Sequence, residues 1–187
     1  MKALIINNGT SYLEELKKLL VGSVVNIIES PQISNVKYGD ADLVILSGGH
    51  GLPVMDEGNP YTEEIQFIRS SFVPILGICL GCELIARAFG ANLRLMERRE
   101  KGVLDISPIQ SDRLFKNIQG FSVYESHRWV VEELSRDLVG LAKSKDGYEV
   151  IKHRQKLIYG FQFHPEAFVE QTSGDDIFRN FLGGIGF

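Results

Sequence analysis

The segment Pro74-Ile75-Leu76-Gly77-Ile78-Cys79-Leu80-Gly81-Cys82-Glu83 constrains this chain more than any other stretch. An apolar run of strand length passes directly into Gly-x-Cys-x-Gly, and a helical pattern over Glu83–Phe89, ended by Gly90, follows. A strand that turns this sharply into a helix presses its own flanks together, so the positions two before and two after the central residue must be small. Gly77 and Gly81 meet that demand. The pattern is that of a nucleophile elbow with cysteine in the serine position. Such a turn lifts the Cys79 sulfur above the carboxyl ends of an open α/β sheet and sets it at a helix N-terminus, where the dipole favours thiolate. The Leu80 backbone N–H then points towards an oxyanion. Two other readings of these residues stay open: a buried turn with an inert cysteine, or a Cys79/Cys82 redox pair.

The flanking sequence agrees with a sheet. Lys2–Asn7, Val24–Ile28, Asp42–Leu46 and Pro74–Ile78 are short apolar runs, separated by helical patterns at Tyr12–Leu20, with Leu13, Leu16, Leu19 and Leu20 on one face, and at Thr62–Ser71. Strands that are apolar throughout predict an open, mainly parallel sheet covered by helices on both faces. The second half differs. Val103–Ile106, Phe121–Tyr124, Leu138–Lys143, Glu149–His153 and Leu157–Phe163 are strand-like, and short polar turns such as Lys145-Asp146-Gly147 join several of them. They predict an antiparallel extension, closed by a helix at about Asp175–Leu182. With 187 residues and neither repeat nor linker, one domain over 1–187 is expected. A net charge of -4 without a basic block gives no reason to expect nucleic acid or an anionic membrane as partner. No apolar run is long enough to span a bilayer, and two cysteines three apart make no disulfide framework. The expectation is a cytoplasmic protein with no cofactor and no metal site.

A thiol nucleophile needs a base. Of His50, His127, His153 and His164, the last sits in the most informative setting, Tyr159-Gly160-Phe161-Gln162-Phe163-His164-Pro165-Glu166. An extended chain alternates its faces, so Phe161 and Phe163 point one way while Gln162, His164 and Glu166 point the other. Pro165 stiffens the link between imidazole and carboxylate. A carboxylate beside a histidine fixes its tautomer and stabilises imidazolium, which makes Cys79, His164 and Glu166 candidates for nucleophile, base and orienting acid. A lone His-x-Glu at a strand end is otherwise the mark of a surface histidine beside a solvated acid.

The run Leu43-Val44-Ile45-Leu46 enters a glycine-rich turn, Ser47-Gly48-Gly49-His50-Gly51. No Lys-Ser/Thr follows at the spacing of a phosphate loop. The better reading places the Gly49 backbone N–H opposite the elbow, where with Leu80 it forms an oxyanion hole; glycine allows the close approach. His50 reads as an exposed loop residue, with a polar wall of the site as the alternative.

In this order, Ser47-Gly48-Gly49, Pro74–Gly81 and Gly160–Glu166 resemble the motifs of the class I, or triad-type, glutamine amidotransferases, and the resemblance spans nearly the whole chain. It implies a flavodoxin-like α/β sheet. It also implies that Cys79 attacks the γ-carbonyl of glutamine to form a thioester, and that His164, oriented by Glu166, protonates the departing ammonia and then activates water. Gly49 and Leu80 would hold the oxyanion. The GMP synthase branch is the most similar: Arg99-Glu100-Lys101-Gly102 is similar to its Glu-Tyr-Gly element and Ser126-His127 to its Ser-His-x-Asp stretch. That branch's Ser-Gly-Gly-x-Asp-Ser nucleotide loop is absent, because Ser47-Gly48-Gly49 continues as His50-Gly51-Leu52. The expected partner is therefore a separate ATP-dependent synthetase subunit.

Three positions depart from the family pattern. Gly81-Cys82-Glu83 replaces Gly-His-Gln, Trp129 stands where the aspartate after Ser-His is expected, and His50 replaces a proline. One expectation is that Glu83 takes over the substrate ammonium contact, with Ser126 and His127 as further substrate-binding candidates. The other is that Glu83 is an ordinary acid in the first turn of a helix. Competing functions are γ-glutamyl peptide hydrolysis by the same three residues, thiol redox chemistry at Cys79 and Cys82, and a catalytically silent scaffold.

Overall fold

The computed structural model describes residues 1–36, 41–50, 54–55, 58 and 60–187; Gly51 and Leu52, at the end of the glycine-rich turn, lie outside them. The elements run β1 (Lys2–Asn7), α1 (Leu13–Leu19), β2 (Val24–Glu29), β3 (Leu43–Leu46), α2 (Thr62–Ser70), β4 (Ile75–Ile78), α3 (Leu80–Ala88) and β5 (Asn92–Asp105). They continue as β6 (Ser107–Pro108), β7 (Ser122–Glu133), β8 (Leu138–Lys143), β9 (Tyr148–His153), β10 (Ile158–Phe161) and α4 (Gly174–Gly184). One sheet holds all ten strands in the order β2-β1-β3-β4-β10-β9-β7-β5, with β8 on β9 and β6 on β8. Pairing is parallel from β2 through β10. It is antiparallel from β10 outward. The expected doubly wound sheet with an antiparallel extension is thus the observed one.

The apolar strands have no polar face because both faces are covered. Ala3, Ile5, Leu43, Ile45, Leu76 and Ile78 pack with Leu16 of α1 and with Ile177, Phe178 and Phe181 of α4. Leu4, Ile6, Val44, Leu46 and Ile75 point the opposite way, onto Ile68 of α2 and Leu84 and Ile85 of α3. Successive residues of a strand serve opposite cores, as a period of two requires. Each fully buried Leu, Ile or Phe contributes about 1.5–3 kcal/mol, which fixes the register of the short central strands.

Two strands are longer than their apolar patterns predict. The reading Val103–Ile106 covers only the tail of the 14-residue β5, and Phe121–Tyr124 only the start of the 12-residue β7. The hidden part of β5 contains Glu97-Arg98-Arg99-Glu100-Lys101, which has no alternation to detect. It forms the outer edge of the sheet, where charge is the usual means of blocking further pairing. The register slips between Leu95 and Glu100, so this strand bends where it passes the site. Helix α3 begins at Leu80, earlier than Glu83, directly after the cysteine.

Candidate active site

β4 ends at Ile78, and Cys79 caps α3 with φ 50° and ψ -105°. A side-chain-bearing residue there stores strain of about 1–3 kcal/mol, which only a closely built surround can hold. The surround is close. A Cβ on Gly77 would lie 2.3 Å from the Gly81 carbonyl oxygen, and one on Gly81 would lie 2.3 Å from that of Leu46. The Cys79 N–H donates to the Phe161 carbonyl at 2.8 Å, tying the turn to the end of β10.

β10 stops at Phe161, and the chain then bends through Gln162 and Phe163 to deliver His164 beside Cys79. The predicted alternation survives the bend. Phe161 and Phe163 stack at 5.1 Å in one core, while Gln162 and His164 turn to the site. The His164 N–H donates to the Tyr124 carbonyl at 2.9 Å, and the Tyr12 ring meets the imidazole edge-on at 5.3 Å. Nδ1 of His164 lies 2.9 Å from Oε1 of buried Glu166. The packing of Cα of Pro165 against Gly174 of α4 leaves no room for a Cβ there, which holds the His-Pro-Glu link in place.

Burial pushes the Cys79 thiol up, and its hydrogen bond to His164 and the imidazole charge only partly offset this. Burial alone would lower His164, but the hydrogen bonds and charges of Cys79 and Glu166 prevail and hold it up at about 10. Cys82 lies wholly in the core against Gly160, and burial holds its thiol well above the usual range. A buried sulfur of that kind is a poor redox partner.

The glycine-rich turn lies alongside. A Cβ on Gly48 would meet the His164 ring at 2.8 Å and the Cys79 Cβ at 3.5 Å; one on Gly49 would meet the Asn8 carbonyl oxygen at 2.0 Å and the Leu80 side chain at 3.1 Å. The turn is braced from β1. Ser47 Oγ accepts from the Asn8 N–H at 2.9 Å, and Asn8 Nδ2 donates to Glu64 Oε1 at 3.0 Å. Burial raises the Glu64 carboxyl, and its bonds from Asn8 and Ser30 only partly counter that. No sequence pattern pointed to Asn8 or Glu64.

A cavity of about 470 Å³ opens over the cysteine, lined by Gly49, Leu80, Glu83, Ser126 and His127 among others. Cys79 and the oxyanion and substrate-binding candidates read from sequence therefore line one space. A second, smaller opening of about 180 Å³ reaches Cys79 from the side of Tyr12 and His164. His50 is exposed and borders both, so its two readings are compatible. Glu83 is buried, accepts from Gln162 Nε2 at 3.3 Å, and is pushed up to about 7 by desolvation. Arg99 Nη2 donates to Ser126 Oγ at 3.0 Å, and the Ser126 carbonyl lies 4.0 Å from the Cys79 sulfur. His127 turns both ring nitrogens to protein, Nδ1 to the Trp129 carbonyl and Nε2 to Glu125, each at 2.9 Å. Glu97 and Arg128, which the sequence reading passed over, complete the charged wall beside Trp129.

A doubly wound sheet that offers a thiol on a strained strand-to-helix turn, with a carboxylate-paired imidazole from the neighbouring strand, has the architecture of the cysteine hydrolases built on a nucleophile elbow. Within that class the comparisons are specific. The pattern of the family "Glutamine amidotransferase class-I" matches residues 4–184, and the chain belongs to this family. It is 36% identical to the glutamine-hydrolyzing GMP synthase subunit of Pyrococcus abyssi over 183 residues, 95% of each chain. It is 34% identical to the glutamine-hydrolyzing GMP synthase of Aquifex aeolicus over 97% of this chain but only 36% of that longer one. The crystal structure of a candidate GMP synthase subunit from Thermoplasma acidophilum matches with a TM-score of 0.85 at 28% identity, covering 99% of this chain and 94% of that one. Among the described residues no helix is long and apolar enough to cross a membrane.

Proposed function

We propose that this chain is the glutaminase subunit of a two-subunit GMP synthase, hydrolysing the side-chain amide of glutamine and passing ammonia to a separate ATP-dependent synthetase in the cytoplasm. The observation that carries this reading is the placement of His164, 2.9 Å from Glu166, beside Cys79 over Gly48, next to a cavity that Gly49 and Leu80 also line. The similarity to GMP synthase subunits of the same length, and to one third of a longer GMP synthase, favours a separate synthetase partner.

Each residue has a role that its position supports. With Nδ1 of His164 directed at Glu166, Nε2 is the nitrogen free to exchange a proton with the thiol. Cys79 and His164 share one proton, and as Cys79 Sγ bonds to the amide carbon that proton rests on Nε2 and negative charge grows on the amide oxygen. The backbone N–H groups of Gly49 and Leu80 take up that charge. His164 then gives its proton to the departing nitrogen, which leaves as ammonia, and the γ-glutamyl thioester remains. Water, deprotonated by His164, attacks the thioester; glutamate and the thiol are regenerated. Burial disfavours an isolated thiolate, and the His164 imidazolium beside it, held up at about 10, is what keeps the sulfur nucleophilic.

For the amino-acid end of glutamine, Glu83 and Glu97 offer carboxylates to the ammonium, and Arg99 and Arg128 offer cations to the carboxylate, with Ser126 between them and His127 as wall. Glu83→Ala should raise KM for glutamine about tenfold or more, while Trp129→Ala should change it little. An unchanged KM in Glu83→Ala removes Glu83 from recognition.

The direct test is ammonia and glutamate release from glutamine by the purified chain, alone and with a GMP synthase synthetase subunit. Stimulation by that synthetase, and loss of release in Cys79→Ala, are expected. Cleavage of γ-glutamyl peptides in preference to glutamine would replace this reading with peptide hydrolysis.

A further inference from the structure

Behind the cavity wall lies a cluster of ionisable groups that the glutamine chemistry does not use. Glu125 on β7 and Glu149 on β9 are each 1% exposed, and His127 on β7 is 4% exposed. Residues two apart on a strand share a face, so Glu125 and His127 point the same way, and Glu149 of the adjacent β9 reaches the same place. One donor atom from each lies within 4.8 Å of the others, and no other group of three or more such residues does so among the described residues.

The outer atoms of the cluster are tied, and the inner ones are not. His127 Nδ1 lies 2.9 Å from the Trp129 carbonyl oxygen, which can only accept, so Nδ1 carries a proton. In the neutral ring Nε2 then turns its lone pair inward, 2.9 Å from Glu125 Oε2. Glu149 Oε1 accepts from Ser144 Oγ at 2.6 Å, which leaves Oε2 facing in. Among the described residues, Glu125 Oε1 and Oε2, Glu149 Oε2 and His127 Nε2 have no hydrogen-bond partner of proper geometry. Acceptors facing acceptors out of water repel one another unless positive charge sits between them. A shared proton bridges two of the groups at a time, whereas a cation bridges all three. An imidazole N–H tied to a backbone carbonyl and a carboxylate tied to a hydroxyl are also the supports that surround metal ligands.

We propose that Glu125, His127 and Glu149 form a buried site for a divalent transition-metal ion of the zinc type. One imidazole nitrogen and two carboxylate oxygens suit such an ion, with bonds of roughly 2.0–2.2 Å. A small rotation of the Glu149 carboxylate about its Ser144 bond closes the cage. His127 borders the cavity, which gives the ion a way in. The ion clamps β7 to β9 and takes no part in the bond changes.

The test strips the full chain with a chelator, dialyses it against Zn²⁺ or Co²⁺ in molar excess, and measures bound metal by elemental analysis. One ion per chain is expected in wild type and in Cys79→Ser. Glu149→Gln should weaken binding by about 10-fold to 100-fold or more, and Ser144→Ala by roughly 10-fold. Bound Co²⁺ should show d–d absorption without the thiolate charge-transfer band that a site at Cys79 or Cys82 produces. Wild type that stays metal-free overturns the assignment, as does binding that is lost in Cys79→Ser and kept in Glu149→Gln. The wild-type stoichiometry decides the matter even if a Glu149 variant fails to fold.

Discussion

Replacing Glu166 by glutamine keeps the shape beside His164 and removes the charge. Glu166 Oε1 and His164 Nδ1 are 2.9 Å apart, and both side chains are buried. A hydrogen bond to a charged group contributes about 1.5–3 kcal/mol, and one pKa unit corresponds to about 1.4 kcal/mol. Without the carboxylate the His164 pKa should therefore fall from about 10 to roughly 8–9. In wild type this pKa stands above that of an unfolded histidine, about 6.5, so folding takes up a proton across the interval. The resulting stabilisation is complete below about pH 6.5 and disappears as the pH rises through about 10. Glu166→Gln should accordingly be less stable than wild type by about 1.5–3 kcal/mol near pH 6, and that gap should close towards pH 10. Urea unfolding at a series of pH values measures the gap, and NMR titration of the His164 ring follows the pKa directly. Glutamine turnover should fall by about 10²–10⁴, as for a base that has lost its orientation. A stability gap that is the same at both ends of the pH range, with the His164 titration unmoved, would refute the electrostatic role assigned to Glu166.

Gly81→Ala places a methyl group 2.3 Å from the Leu46 carbonyl oxygen, so β3 and α3 must separate. A loss of about 2 kcal/mol or more in urea unfolding is expected, together with lower thiol reactivity; a fully stable, active variant would mean the elbow is not closed. Cys82→Ser buries a hydroxyl in the core and should cost about 1–3 kcal/mol of stability, yet leave glutamine hydrolysis largely intact. Abolished activity in a folded Cys82→Ser protein would restore the thiol-redox reading.

The parts of the site that could be read from sequence are those whose geometry is local. Gly77 and Gly81 announce the elbow because a sharp turn excludes side chains at those positions, and His164 and Glu166 share a face because alternation does not depend on distant partners. The central sheet was legible for the same reason: its strands are short, apolar and buried on both sides. What escaped detection depends on neighbours remote in sequence. The cavity's charged wall, Glu97 to Lys101, carries no hydrophobic period because it is an edge facing solvent and the site. Asn8 and Glu64 brace the glycine turn only once β1, β3 and α2 are brought together. The desolvation that acts on the Cys79 thiol is likewise a property of the completed fold. Glu125 and Glu149 became a cluster only once β7 and β9 were brought together in the sheet.

The sulfur and the imidazole that meet at this site come from chain segments separated by most of the antiparallel extension, yet β4 and β10 are neighbours joined along their length, and the Cys79 amide itself donates to Phe161. Their spacing is set by main-chain bonding, which is indifferent to side-chain identity. Away from Tyr124 and Ser126, which touch the pair, the excursion between the two strands can accept insertions or a different wall without moving the sulfur relative to the imidazole. Diversification of what the cavity admits, and of what docks around it, is thereby uncoupled from preservation of the chemistry.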